Sequence, residues 1–403
     1  MAKKEMDRRE FITELGVKIA GTGLLLNQIA AKPACGEKKP AAKQDKGPAM
    51  EYRILGKTGL KVSAVSFGVM RLKEPAVLYK ALDLGVNFFD TAHDYQNGNN
   101  EIMLGKVLKE YGRKKAFIAT KIHPFHMQKT LSQEFRMLER KAMDEMMEKS
   151  LKRLQTDYVD VLFIHNIMDT SWPLNETVVA FLEKLKKDGK ARFVGVSIHD
   201  PRYYVDVVGQ VAKSTIYDVI LAWFNFKSVP EHIEALKKAK AKNLGVVAMK
   251  TQGGGYKKGA TASLSPQQAA LKWALDKDFV DCAIPGIVNN EQLLENVGVI
   301  GKKVGWSDRK VLHAYYNAVK QQYCIMCGRC VSTCVNNVNI NTVNRALMYC
   351  EGYGDFEQGR QTYLALSTSE CGLSCINCTS PTCHCLNGIN IAERMRHAHT
   401  LFA

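Results

Sequence analysis

The sequence of 403 residues predicts an α/β protein: a (β/α)8 (TIM) barrel followed by a small cysteine-rich module. Three observations carry the prediction. Short apolar runs alternate with helical patterns through the middle of the chain, as strands covered on both faces by helices require. The segment after the first run, FGVMRLKE, is not the Gly-rich phosphate loop with which an open doubly wound sheet usually begins. Ten of the twelve cysteines lie beyond residue 320, so the end of the chain is chemically distinct from its middle.

In chain order, residues 1–35 have the layout of a signal peptide: adjacent Arg8 and Arg9, a Phe-Ile pair, then a mildly apolar stretch rich in Gly and Ala. The layout resembles a twin-arginine export signal, with DRREFIT at the motif. It implies a protein carried to the periplasm already folded; an N-terminal amphipathic helix on a cytoplasmic protein is the alternative. The apolar region contains Lys18 and is too short and polar for a stable membrane span, so the mature chain is expected to have none. Cys35 is not read as a lipid-attachment cysteine, because Lys32 stands where an aliphatic residue is needed. Residues 36–50 read as a polar linker rich in Lys, Ala and Pro.

The barrel is expected over residues 51–305. Its strands are VSAVSFG, VNFFDTA, AFIATK, YVDVLFIH, ARFVGVS, IYDVILAWF, LGVVAMK and DCAIPG. Its helices include EPAVLYKALDLG, NNEIMLGKVLKEYG, QEFRMLERKAMDEMMEKSLKRL, NETVVAFLEKLKKDG, PEHIEALKKAKAKN and SPQQAALKWALDKD. The formal charge is +16, and the first fifty residues hold ten basic and six acidic side chains, leaving +12 for the rest. No dense Lys/Arg run is interleaved with aromatics, which argues against nucleic acid as a partner. An anionic substrate or an acidic electron carrier fits the excess better.

Chemistry in such a barrel belongs at the C-terminal strand ends. Asp90 ends NFFD, Tyr95 follows in DTAHDY, Lys121 ends FIATK and His165 ends VDVLFIH. Singly, each has a plain structural role. Together, on three successive strand ends, they make a proton-donating site for a carbonyl. A phenol of pKa about 10 is a weak acid until a nearby ammonium stabilises its phenolate. Lys121 is expected to supply that charge, Asp90 to hold Lys121, and His165 to hydrogen-bond the substrate oxygen.

This ordered set, in the settings DTAHDY, ATK and FIHN, resembles the catalytic tetrad of the aldo-keto reductases. The resemblance spans about residues 51–300 and implies a barrel that binds NAD or NADP without a Rossmann motif. It implies that Ser197 contacts the carboxamide and that Glu295 and Asn296 face the adenine side. Ile198, Leu221, Gly286 and Gln292 depart from the family pattern. The last two replace cations that usually clamp the 2′-phosphate, which leaves NAD against NADP open.

Residues 306–403 open with a helical pattern and then read CIMCGRCVSTC. Cys324, Cys327, Cys330 and Cys334 follow C-x2-C-x2-C-x3-C, the bacterial ferredoxin-type run for [4Fe–4S] clusters. Zinc usually takes cysteine pairs separated by a longer loop, and residues this close cannot easily form disulfides with one another. A shift of 51 residues maps Cys324, Cys327 and Cys334 onto Cys375, Cys378 and Cys385, and CVNNVNI onto CLNGINI. Such a repeat is the signature of a two-cluster, ferredoxin-like module. By that symmetry, one set is Cys324, Cys327, Cys330 and Cys385. The other is Cys334, Cys375, Cys378 and a fourth thiol, because Cys330 maps onto Pro381; Cys383 is assigned, with Cys371 as the alternative. Cys282 and Cys350 are expected to be buried structural thiols.

The module and the linking segment NRALMYCEGYGDFEQGRQTY resemble a subgroup of aldo-keto reductases that carries a 4Fe-4S domain. The resemblance implies an exported iron–sulfur oxidoreductase acting on a small carbonyl or alcohol. The alternatives are an electron-transfer protein whose barrel is a scaffold that has lost nicotinamide use, and a binding protein stapled by zinc or disulfides.

Overall fold

The computed structural model describes residues 49–125, 138–167, 169–254 and 265–403. The expected signal segment, Cys35 and nearly all of the linker lie outside the described residues. The chain opens with an antiparallel hairpin of β1 (Tyr52–Ile54) and β2 (Lys61–Ser63). Eight parallel strands follow: β3 (Phe67–Gly68), β4 (Phe88–Asp90), β5 (Phe117–Ile122), β6 (Val159–Ile167), β7 (Ala191–Ile198), β8 (Val219–Trp223), β9 (Gly245–Met249) and β10 (Cys282–Ala283). Each pairs with its neighbour in sequence. Bridges from Val65 to Ala283 and from Gly68 to Gly286 bring the last strand back to the first. The sheet is therefore a near-closed barrel.

The strands form here because their apolar runs are continuous. Every residue of β8 and β9 is buried, which only a sheet covered on both faces permits. The outer helices have apolar stripes and clear start signals. Pro75, Pro230 and Pro266 occupy first-turn positions, and the Asn175 and Ser265 side chains accept hydrogen bonds from the first free N–H groups of their helices. At Gly195 in β7, a Cβ would stand 2.4 Å from Val219 O and 2.6 Å from the Phe163 ring, so the barrel wall admits only glycine there.

One expected strand is divided. Within VSAVSFG, Val62 and Ser63 end the hairpin and only Phe67 and Gly68 enter the barrel. The apolar run is continuous because the hairpin packs its inner face on the barrel: Val62, Ala64 and Val65 are all fully buried. The long helix expected through residue 154 is seen from Arg140 to Leu154, its beginning falling outside the described residues.

Beyond the barrel lie four helices, Trp306–Val319, Ile340–Leu347, Phe356–Leu364 and Ile391–Phe402, with a π-helical turn at Met348–Gly352. The sequence repeat is visible in the backbone. The second and fourth helices begin at Ile340 and Ile391 and are capped alike: Asn339 accepts from Thr342 N, and Asn390 from Glu393 N. Their inner faces share a small core in which Val343, Leu347, Tyr363, Met395 and Phe402 are fully buried. Each such large side chain contributes about 1.5–3 kcal/mol.

This core is joined to the barrel by polar contacts. Arg202 reaches Glu370 at 3.3 Å, Asn339 donates to Asp200 at 3.3 Å, and Arg71 donates to Tyr353 O at 2.8 Å. Among the described residues, no helix is long and apolar enough to cross a membrane.

Candidate active site

Four of the sequence-predicted residues meet at the C-terminal end of the barrel. Asp90 is the last residue of β4 and Lys121 lies near the end of β5, in register with Phe163 of β6. Lys121 Nζ donates to Asp90 Oδ1 at 2.5 Å, to Thr91 O at 2.6 Å and to the Tyr95 hydroxyl at 3.3 Å. His165 stands edge-on to Tyr95, with ring centroids 5.9 Å apart. Asp90, Lys121 and His165 are each buried.

Burial dominates the electrostatics. It pushes the Tyr95 phenol well above its ordinary value, and the carboxylates of Asp90 and Asp94 push it further. At neutral pH the phenol therefore keeps its proton, as a proton donor must. Burial also pushes His165 well below its ordinary value, aided by His123, so its imidazole is neutral. The site therefore offers two neutral hydrogen-bonding groups, with the ammonium of Lys121 behind the phenol.

The strand ends bring further groups here that the sequence reading passed over. His123 stacks on His165 with centroids 4.2 Å apart, and its Nε2 lies 3.2 Å from Asp94 Oδ2. Asp94, His123 and His165 place three donor atoms within 4.8 Å of one another. Two imidazoles stacked face to face do not both aim an in-plane lone pair at one ion, so the geometry is that of a hydrogen-bonded Asp94–His123 pair with His165 stacked on it. His199, after β7, and Lys250, after β9, complete the mouth. The signal for all of them was position, just past a strand end or beside Tyr95.

A cavity runs from Asp90, Tyr95 and Lys121 past Gly68, Met70, Lys250, Gln252, Pro285 and Gly286, and His165 lines the adjoining groove that shares Tyr95. A Cβ at Gly286 would project into open space. Of the residues expected to hold a nucleotide, Asn296 is buried and accepts from Gln252 Nε2 at 2.7 Å, which ties it to the cavity wall. Ser197 is fully buried behind the wall, its Oγ accepting from Asn166 N at 2.8 Å. Glu295 is engaged through its backbone, its O accepting from Gln268 Nε2 at 2.9 Å. Gln292 accepts from Val288 N at 3.0 Å and so serves its own helix turn.

The eight assigned cysteines fall into two groups. The thiols of Cys327 and Cys385 lie close enough to Cys324 to raise its pKa, after burial, to about 12; Cys330 feels all three. Cys375 is pushed up to about 11 by burial and then by Cys334, Cys383 and Cys378. Cys371 stands apart: fully buried, it donates its S–H to Thr368 O at 3.3 Å. Cys383, and not Cys371, is among the thiols that act on Cys375. The two halves of the repeat are stitched across their pseudo-twofold: His384 N donates to Thr333 Oγ1 at 3.3 Å, joining residues that each precede a fourth cysteine. Cys282 is fully buried as expected, whereas Cys350 is partly exposed because the π-helical turn carries it toward the surface.

Comparison with known proteins agrees with this architecture. The aldo/keto reductase family model matches residues 70–262. L-galactose dehydrogenase of Arabidopsis thaliana is 37% identical over 214 residues, which is 49% of this chain and 64% of that enzyme. A putative voltage-gated potassium channel subunit beta of Schizosaccharomyces pombe is 31% identical over 307 residues, covering 62% of this chain and 88% of the relative. The holo form of aldo-keto reductase AKR11C1 from Bacillus halodurans superposes with a TM-score of 0.54 at 24% identity, over 66% of this chain and 95% of that one. An aldo-keto reductase of Klebsiella pneumoniae, solved in complex with NADPH, gives 0.54 at 24% identity over 67% and 96%. At that identity the solved structures speak for the fold alone. The S. pombe match, 31% identical and covering 88% of the relative, shows more and agrees with the family model: this chain belongs to the aldo/keto reductase family.

Proposed function

We propose that the chain is an iron–sulfur oxidoreductase that interconverts a carbonyl and an alcohol, with a nicotinamide cofactor in the barrel cavity and Tyr95 delivering the proton. The observation that carries the reading is the Lys121 ammonium, bonded at once to Asp90 and to the Tyr95 hydroxyl inside that cavity. When bound, a nicotinamide supplies or accepts the hydride. The chain does the rest. Asp90 keeps Lys121 charged and aimed; neutral His165 hydrogen-bonds the substrate oxygen; Tyr95 gives its proton to that oxygen as it becomes an alkoxide, and Lys121 stabilises the phenolate left behind. In the oxidative direction the same proton returns to Tyr95.

The residues present fit a nicotinamide in part. Gly286 leaves open space in the cavity wall, and Gln252 with Asn296 supplies amide groups. Gln292 is occupied by its own turn and brings no positive charge, which removes one clamp for a 2′-phosphate and leaves NAD against NADP open. Ser197 is buried and holds the backbone of Asn166, so it would bear on a carboxamide only through that neighbour.

The two thiol groups fit [4Fe–4S] clusters, which supply one-electron storage. Cys324, Cys327, Cys330 and Cys385 would hold one, and Cys334, Cys375, Cys378 and Cys383 the other. Among the described residues no three thiols have all their sulfurs within 4.8 Å of one another. A single tetrahedral zinc would draw its four sulfurs to about 3.8 Å separation. The sulfurs also receive hydrogen bonds suited to a charged cluster: Met326 N and Asn341 Nδ2 donate to Cys324 Sγ at 3.4 and 3.6 Å, and Asn387 N to Cys385 Sγ at 3.4 Å. An acidic electron carrier is the partner such clusters would serve. Export by the twin-arginine route rests on Arg8 and Arg9; replacing both with Lys should trap the chain in the cytoplasm, and unchanged localisation would end that proposal.

The deciding experiment is anaerobic purification followed by counting iron, sulfide and bound nucleotide on one sample, with NAD(P)H-dependent carbonyl reduction measured for wild type and Tyr95→Phe. About eight irons are expected, with turnover lowered about 10²–10⁴-fold in the variant. A colourless protein would end the iron–sulfur part, and turnover indifferent to Tyr95 would end the catalytic part. A second reading, an electron-transfer protein with a scaffold barrel, draws on Ile198 and Leu221, which are apolar and fully buried where the family usually places amide side chains. It predicts clusters that cycle with no effect of nucleotide.

A further inference from the structure

The cavities at the barrel mouth meet at three residues that the tetrad does not use. His199 lines the cavity of the tetrad, the cleft beside Cys324 and the groove under the C-terminal helices; Lys250 lines the first two and Arg345 the last two. Lys250 Nζ lies 2.7 Å from His199 Nδ1, and Arg345 Nη1 donates to the backbone O of His199 at 3.4 Å. The arrangement gathers two cations around one imidazole, with Arg345 only 8% exposed.

Nothing among the described residues balances that charge. The carboxylates nearby are committed elsewhere: Asp200 to Arg202 at 2.7 Å, Asp94 to His123 at 3.2 Å, and Asp90 to Lys121 at 2.5 Å. Every influence on Lys250 disfavours its charge, first burial and then the proximity of Arg345 and Lys121. His199 Nε2 is buried without a hydrogen-bond partner. Segment 255–264, which follows Lys250 closely in the chain, contains no acidic residue. A buried Lys and Arg with no anion beside them are costly to charge, and a pocket that gathers them favours an anion, whose arrival restores the charge on Lys250 and meets pre-aimed donors.

We propose that Lys250, Arg345 and His199 form an oxyanion-binding site that receives a carboxylate of the substrate, so that the carbonyl compound handled at Tyr95 is an oxo acid and its alcohol a hydroxy acid. The inference rests on the carbonyl reading of the barrel mouth, because the oxyanion site opens into the cavity that holds Tyr95 and Lys121. Lys250 and Arg345 supply the charge, and His199 orients Lys250 and offers Nε2. Arg345 comes from the C-terminal module, so the module completes the substrate site of the barrel.

The test is direct binding to the full chain with its metal content unchanged, by calorimetry, using oxamate as a small carboxylate probe and NADP⁺ as a diphosphate probe. Wild type, Lys250→Met, Arg345→Met, Arg345→Lys and Tyr95→Phe are compared, with circular dichroism and the visible spectrum confirming an intact fold. Loss of one charged hydrogen-bonding partner should weaken oxamate about tenfold or more in the two Met variants. Arg345→Lys should recover part of the loss, and NADP⁺ binding should change little. Oxamate that fails to bind wild type, or binds the Met variants within about twofold of it, overturns the proposal. Weakening confined to NADP⁺ also overturns it and gives the cations to a nucleotide diphosphate. A shifted cluster potential with unchanged oxamate binding overturns it too, making the cations counter-charges for the thiolates beside Cys324. Tyr95→Phe, which removes only the hydrogen bond to the substrate oxygen, should abolish turnover yet weaken oxamate less than either Met variant, so failure of the carbonyl chemistry and failure of the anion site are seen separately.

Discussion

Lys121→Met is the most informative single substitution, because Lys121 serves stability and chemistry through the same three bonds. Its side chain is 1% exposed and that of Asp90 is 4% exposed, so the pair has almost no water to fall back on. Met keeps most of the volume and removes the ammonium. Asp90 Oδ2 already lacks a partner, so the variant leaves a buried carboxylate with neither oxygen paired by a side chain. Removing one member of such a pair costs about 3–5 kcal/mol. The assay is urea denaturation of wild type, Lys121→Met, Asp90→Asn and the double variant, followed by far-UV circular dichroism. The double variant should recover more than half of the loss, because two neutral groups no longer demand solvation. A loss below about 1 kcal/mol for Lys121→Met, or a double variant no more stable than the single, would refute the account of Asp90 and Lys121 as a dry, mutually dependent pair.

Three further outcomes follow from the geometry. Cys383→Ser should lower the iron content from about eight to about four per chain while Cys371→Ser keeps about eight; the reverse would restore Cys371 as the fourth ligand. His232 is 3% exposed and packed between Tyr204 and Trp223 at ring-centroid distances of 4.1 and 5.0 Å, and burial lowers its pKa to about 4. The unfolded chain then binds a proton that the folded chain refuses between pH 6.5 and about 4, so this stability is present above pH 6.5 and is lost as pH falls through that window. His232→Phe should therefore spare up to about 3 kcal/mol of the loss at pH 4, and parallel stability curves for the two proteins would contradict it. Gly195→Ala should destabilise the barrel by about 1–3 kcal/mol or more through overpacking against Val219 O and Phe163, read as a lower melting temperature; an unchanged value would show that the wall can yield there.

The barrel was legible because its signal is local and repeated. A strand buried on both faces must be apolar throughout, and β8 and β9 are. The thiol groups were legible for a different reason: cysteine spacing is read directly from sequence, and the 51-residue shift that joins Thr333 to His384 in space also aligns CVNNVNI with CLNGINI. Symmetry failed at one place, Pro381, where neither the spacing nor the repeat distinguishes Cys371 from Cys383. The division of VSAVSFG escaped because burial by a hairpin and burial by a barrel leave the same apolar pattern. The environment of Tyr95 was only half legible, because the sequence shows which charges are near but not how much water is excluded, and here burial leads in raising the phenol.

The seam was the least legible part, and it bears most on function. Lys250 follows a strand, His199 lies 51 residues before it, and Arg345 sits within a helix of the other core 146 residues after His199. No window of sequence contains them together. Their meeting depends on how the C-terminal helices dock, and that docking runs through Arg202–Glu370, Asp200–Asn339 and Arg71–Tyr353. Tyr349 and Tyr353 of the same module line the cavity of Tyr95. A barrel stripped of residues 306–403 would keep its tetrad while losing one wall of its pocket and one of its two unpaired cations. The module thus shapes what reaches the tetrad, whatever else its thiols do, and a perturbation of the thiol groups should be felt at the barrel mouth through Cys324, whose neighbours Met326 and Arg345 line the cleft that also contains Lys250 and His199.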